Sequence, residues 1–131
     1  MDDDTRCELG TAYVKMGRAL LRLGNPREAK AMVQKALDVS RASSATERRD
    51  VAALYVIADA QAGLGDVATA EARSDVGEER SRLLEEAGTS YEASARTWGQ
   101  IPNPSAISPG GFLFASRTRR PQAVAGLARE H

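Results

Sequence analysis

The chain has 131 residues, room for one domain and too few for a large two-domain enzyme. Apolar residues make up 42% and charged ones 27%, a globular balance, and 18 basic residues offset 18 acidic ones, which removes the field of a protein held to nucleic acid through its phosphates. Aromatics are only 5%, and an apolar set of mostly Ala, Leu and Val suits closely packed helices, so the expected fold class is all-α.

Helix starts are legible from capping chemistry. Thr5 with Glu8, Asn25 with Glu28 and Ser44 with Glu47 each have the form in which a side-chain oxygen caps a backbone N–H and a glutamate reaches back. Helix one is predicted over Thr5 to Leu23, with Leu9, Tyr13, Met16, Leu20 and Leu23 as its apolar stripe. Gly24 stops it, and Pro26 opens helix two, where a missing N–H costs nothing. That helix runs to about Arg41 with Ala29, Met32, Val33, Ala36 and Leu37 on one face.

Helix three is predicted from Ala45 to Gly63, apolar through Val51, Leu54, Tyr55, Ile57, Ala58 and Ala62. Gly65 reads as its stop and Asp66 as the cap of a fourth helix. From Val67 to Trp98 the helical signal is nearly continuous, with a bend or short break expected at Ser74-Asp75-Val76-Gly77. Pro102, Pro104, Pro109, Gly110 and Gly111 then forbid helix, and a short last helix, Pro121 to about Arg129, is expected to fold back as a cap.

An internal repeat organises these elements: Leu23-Gly24-Asn25 recurs as Leu64-Gly65-Asp66, each followed four residues after its last member by Ala29 or Ala70. The first unit resembles the tetratricopeptide repeat, with Tyr13, Met16, Gly17 and Leu20 on one helix, Gly24 at the turn, and Ala29, Val33 and Ala36 on the next. Gly17, Ala29 and Ala36 are the small residues that close antiparallel contact needs. The second unit matches through Leu54, Ile57, Ala58 and Gly65. Its second helix reads in two ways: continued directly through Ala70, or after an insertion near residues 67–80, with Ala87, Tyr91 and Ser94 in the contact. The latter is preferred, and it leaves Trp98 near the end of the superhelix.

Residues 51–129 also resemble the C-terminal end of the tetratricopeptide regions behind bacterial serine/threonine kinase domains. Ser90-Tyr91-Glu92-Ala93-Ser94, Trp98, Ile101, Asn103-Pro104, Ser108-Pro109, Gly111-Phe112, Val124-Ala125 and Leu127-Ala128-Arg129 carry that likeness. The chain is therefore expected to be one antiparallel helical array. It divides into a first pair over 5–42, an extended second pair over 44–100, an irregular Pro/Gly-rich segment over 101–120 and a capping helix over 121–130. No Gly-rich phosphate loop or catalytic Lys and Asp motif is present, so the resemblance implies no kinase activity in these residues.

A search for chemistry finds little. The lone His131, at the last position, is a poor general base, and with Cys7 as the single cysteine neither a zinc set nor an internal disulfide is expected. Cys7 reads as a small half-buried helix residue. The Met-Asp-Asp-Asp opening is unlike a signal peptide, and no run approaches the roughly 18 apolar residues of a membrane span, so the expected setting is a reducing cytoplasm. Arg117, Arg119 and Arg120 form the main basic cluster, the basis of an alternative reading as a nucleic-acid accessory protein. With only Phe112 and Phe114 nearby, a solvated turn is the preferred reading, and Phe112-Leu113-Phe114 reads as a hydrophobic plug under a loop.

The resemblance implies a non-catalytic interaction module with no cofactor and no metal. Its groove would be lined by Thr11, Val14, Lys15, Arg18 and Arg22 from the first unit and Ala52, Tyr55, Val56, Asp59 and Ala62 from the second. A mixed polar and apolar peptide is the implied ligand, because the Lys/Asn carboxylate clamp of some family members is not reproduced. Two units fall short of the three or so that usually make such arrays stable, so helix one is expected to pair with a second copy or with preceding repeats.

Overall fold

The computed structural model describes residues 2–44 and 51–101, and these form four α-helices without a strand. They are α1 (Asp3–Arg22), α2 (Pro26–Ser44), α3 (Val51–Arg73) and α4 (Gly77–Gly99). Each packs antiparallel on the next: Gly10 and Gly17 of α1 meet Ser40 and Val33 of α2, Val56 and Gly63 of α3 lie at the levels of Ser40 and Val33, and Ala58 and Gly65 of α3 meet Ser94 and Tyr91 of α4. Gly10 lies against Val56, while Gly17 and Gly63 share Val33, so α1 and α3 run parallel, side by side.

α1 begins earlier than the Thr5 box implies. The Asp2 carboxylate is the cap, accepting from the Thr5 N–H at 2.7 Å. At the other end Gly24 takes φ +82°. Its N–H donates to Leu21 O at 3.0 Å, and Asn25 N–H donates to Leu20 O at 2.9 Å, the paired closure that a left-handed residue permits. Pro26 then opens α2, as predicted.

The buried side of α1 differs from the predicted stripe. Gly10, Val14 and Gly17 face inward, whereas Met16 is 49% and Leu23 74% exposed. Closest approach decides this, because a Cβ on Gly17 would stand 2.7 Å from Val33 Cγ2 and 3.3 Å from Ala29 O. The helix turns its smallest residues toward α2, with Tyr13 of the expected stripe half-buried at the edge of that contact.

α3 corrects the sequence reading at Gly65, which is no helix stop. The helix passes through Gly65 and Asp66 to Arg73, and the residues of the supposed insertion are the lengthened ends of α3 and α4. The reason lies in α4: a Cβ at Gly65 would lie 2.7 Å from the Tyr91 ring, so the glycine is a seat for that ring. The break expected near Ser74 is real, and α4 resumes at Gly77 with φ +66°.

Ala87, Tyr91 and Ser94 are all buried on α4, the Ser94 hydroxyl donating to Ala58 O at 2.8 Å. Thr97 Oγ1 donates to Gln61 Oε1 at 2.6 Å. The core is a chain of small clusters. Val14, Val33, Leu37, Val56 and Ile57 fill the first, and Leu54, Tyr55, Ala58, Trp98 and Ile101 fill another, in which the Tyr55 and Trp98 rings meet edge to face at 5.4 Å.

Because α3 contacts all three other helices, it is apolar nearly all round. By length and composition it is apolar enough to cross a membrane, with mean hydropathy 1.3, contrary to the sequence expectation; 67% of that stretch is buried inside the fold. On the outer face of α4, Arg82 bridges Glu79 and Glu86, and Lys30 of α2 reaches Glu86 at 3.6 Å. The Glu47 half of the third capping box, the Pro/Gly-rich segment after Ile101, the basic cluster Arg117, Arg119 and Arg120, and the predicted last helix all lie outside the described residues.

Candidate functional site

The parallel pair α1 and α3 does not close along its whole length. Along the N-terminal halves of the two helices, at and on both sides of the level where Gly10 meets Val56, it leaves an open cleft of about 320 Å³. Cys7, Glu8, Thr11, Ala12 and Lys15 of α1 line one wall, and Ala52, Tyr55, Val56 and Asp59 of α3 line the other. These are positions one helical turn apart on each helix, so two facing stripes make the cleft.

Six of the ten groove residues expected from the sequence meet there: Thr11, Lys15, Ala52, Tyr55, Val56 and Asp59. The other four do not line it. Val14 is 2% exposed and belongs to the core, because it sits on the inward side with Gly10 and Gly17. Arg18 lines a separate small hollow with Gly63, Asp66 and Val67. Arg22 is exposed in the last turn of α1, beyond the cleft. Ala62 is buried against α4 with Ala87 and Tyr91.

Cys7, Glu8 and Ala12 were not nominated. The signal that finds them is the same helical spacing run back toward the N-terminus, one turn from Thr11 to Cys7, and one turn from Lys15 to Ala12 and a second to Glu8.

The two walls differ in character. α1 presents exposed Glu8 and Lys15 with small residues between them, while Tyr55 and Val56 make the α3 wall apolar. Asp59 is the exception on that wall, a carboxyl only 2% exposed. Burial pushes it up from its ordinary 3.8 to about 7, and the positive charge of nearby Arg18 pulls it partly back. Near neutral pH it is thus divided between a carboxylate, which only accepts hydrogen bonds, and a carboxylic acid, which also donates one. Among the described residues no three His, Cys, Asp or Glu side chains converge on a metal position.

The sequence matches no protein-family model, and neither curated proteins nor solved structures give a match.

Proposed function

We propose that this protein is a non-catalytic interaction module that binds a partner peptide or short helix in the cleft between α1 and α3. The observation that carries this reading is the cleft itself, an open trough with an apolar floor at Tyr55 and Val56 and polar ends at Glu8 and Lys15. Such a surface suits a segment whose apolar side chains alternate with polar ones. The arrangement is of tetratricopeptide type in this reading: α1 and α3 stand as the parallel inner helices, and α2 and α4 pack behind them. This reading keeps the family resemblance carried by Gly17, Ala29, Ala36 and Tyr91, and with it a place in a signalling protein of the kinase-associated kind, in a reducing cytoplasm.

The test is selection of a random dodecapeptide phage library on the full chain, with the Ala12→Arg variant as control. Ala12 is exposed and lines the cleft, so an arginine there fills the trough without touching the core. Trp98 is the only tryptophan and stacks edge-on against Tyr55 of the cleft wall, so its emission reports occupancy. Selected peptides are expected to shift Trp98 emission in the native chain and to lose binding in Ala12→Arg. Equal binding to both proteins overturns the cleft as the site.

A further inference from the structure

The described fold ends beside the cleft. Ile101 is buried in one cluster with Tyr55 and Trp98, and Tyr55 is also part of the cleft wall. The chain therefore continues from a point one side chain away from the trough, on the far side of α3 and at the same end of it. Thirty residues follow, and they carry two chemistries that complement the trough and its mouth.

The first is apolar bulk. Phe112, Leu113 and Phe114 are the largest apolar group after Ile101, and both phenylalanines of the protein are among them. Phe112 lies eleven residues beyond Ile101, and extended chain spans up to about 3.3–3.6 Å per residue. Its reach of roughly 36 Å exceeds the roughly 12 Å that the cleft wall occupies along α1 from Cys7 to Lys15.

The second is positive charge. Residues 102–131 hold four arginines against one glutamate, and residues 1–101 carry the balancing net charge of −3. Asp2 caps α1, Asp4 is exposed in its first turn and Glu8 lines the cleft, against the single basic side chain of Arg6 in the same turns, so the mouth near the start of α1 is net acidic. Arg117, Arg119 and Arg120 follow Phe114 by three to six residues. With Phe112 to Phe114 over Tyr55 and Val56, those arginines have chain enough to reach that mouth.

We infer that the α1/α3 cleft is covered in cis by this chain's own segment around Phe112 to Arg120, which a partner peptide must displace. This rests on the proposed peptide-binding role of the cleft and adds its regulation: the tail is a built-in competitor. An intramolecular ligand enjoys a high effective concentration, so modest contacts suffice to hold it.

Cys7 reports on the cover, because it lines the cleft and is the only thiol. In the full chain, its reaction with a dithiobenzoate reagent is expected to be about tenfold slower than in a Phe112→Ser/Phe114→Ser variant, the factor for a cleft covered about nine-tenths of the time. Under dilute oxidation with glutathione disulfide, Phe114→Cys is expected to form an intramolecular disulfide with Cys7. Arg73→Cys, at the opposite end of α3, is expected to form none.

Equal Cys7 reactivity in the native chain and the double-serine variant overturns the inference, as does a disulfide joining two chains, which assigns the cover to a second copy. The same variant separates this inference from the peptide-binding role. Exposed Cys7 with no dodecapeptide binding removes the partner while the cover stands; dodecapeptide binding with unchanged Cys7 reactivity removes the cover alone.

Discussion

The ring of Tyr91 lies on the backbone of Gly65, and its hydroxyl donates a hydrogen bond to Asp66, the next residue of α3. One aromatic side chain from α4 thus uses two consecutive residues of α3, one for its absent Cβ and one for its carboxyl group. That pairing explains why a glycine persists in the middle of a helix of 23 residues.

Gly65→Ala is expected to destabilise the fold although alanine is the better helix former. Propensity favours the substitution by about 1 kcal/mol, and forcing a methyl against a ring that is 1% exposed costs about 1–3 kcal/mol. Urea unfolding followed by circular dichroism should show a lower midpoint with an unchanged slope. A midpoint equal to or above that of the native chain would contradict the seat.

Gly24→Ala tests a different cost. Nothing lies within 4 Å of a Cβ there, but φ is +82°, so the penalty is conformational, about 1 kcal/mol. Gly24→Asn should recover part of the loss, since asparagine tolerates the left-handed region, and no such rescue is expected at Gly65. Thermal melts of the four proteins distinguish the two mechanisms.

Asp59 makes stability depend on pH with a definite sign. Its carboxyl titrates near 7 in the folded chain and near 3.8 when unfolded, so between those values the folded state binds more protons. Stability therefore falls as pH rises from about 4 to 7, by up to about 4 kcal/mol, and the contribution is constant outside that window. Asp59→Asn should flatten the slope and raise the melting temperature at pH 8. A native slope of opposite sign over that window, or one unchanged in the variant, would refute this assignment.

Ser40 is wholly buried, and its hydroxyl has no hydrogen-bond partner among the described residues. It sits on α2 opposite Gly10, whose Cβ would stand 2.9 Å from that oxygen. Ser40→Ala removes a desolvated polar atom and improves helix propensity, so a gain of about 1 kcal/mol is expected in chemical unfolding. A loss of stability would mean that the hydroxyl is satisfied.

Local signals carried much of the architecture. Asn25-Pro26 set the start of α2 and Gly24 the end of α1, because capping and left-handed backbone are chosen by a few adjacent residues. The spacing of Ala29, Val33, Ala36 and Leu37 marked the buried face of α2 for the same reason. Periodicity also nominated Thr11, Lys15, Tyr55, Val56 and Asp59, which line one cleft, since residues a turn apart share a face.

Tertiary contact decided the rest. Gly65 has the form of a helix stop when read alone, and only the Tyr91 ring against it shows why the helix continues. The largest apolar residues of α1 predicted its buried stripe, yet Met16 and Leu23 remain exposed, because the distance between helices is set by Gly10 and Gly17. Val14 went to the core instead of the cleft by the same rotation of α1. Sequence periodicity shows which residues of one helix share a face. Which face turns inward depends on how closely two backbones can approach, and that is a property of the pair.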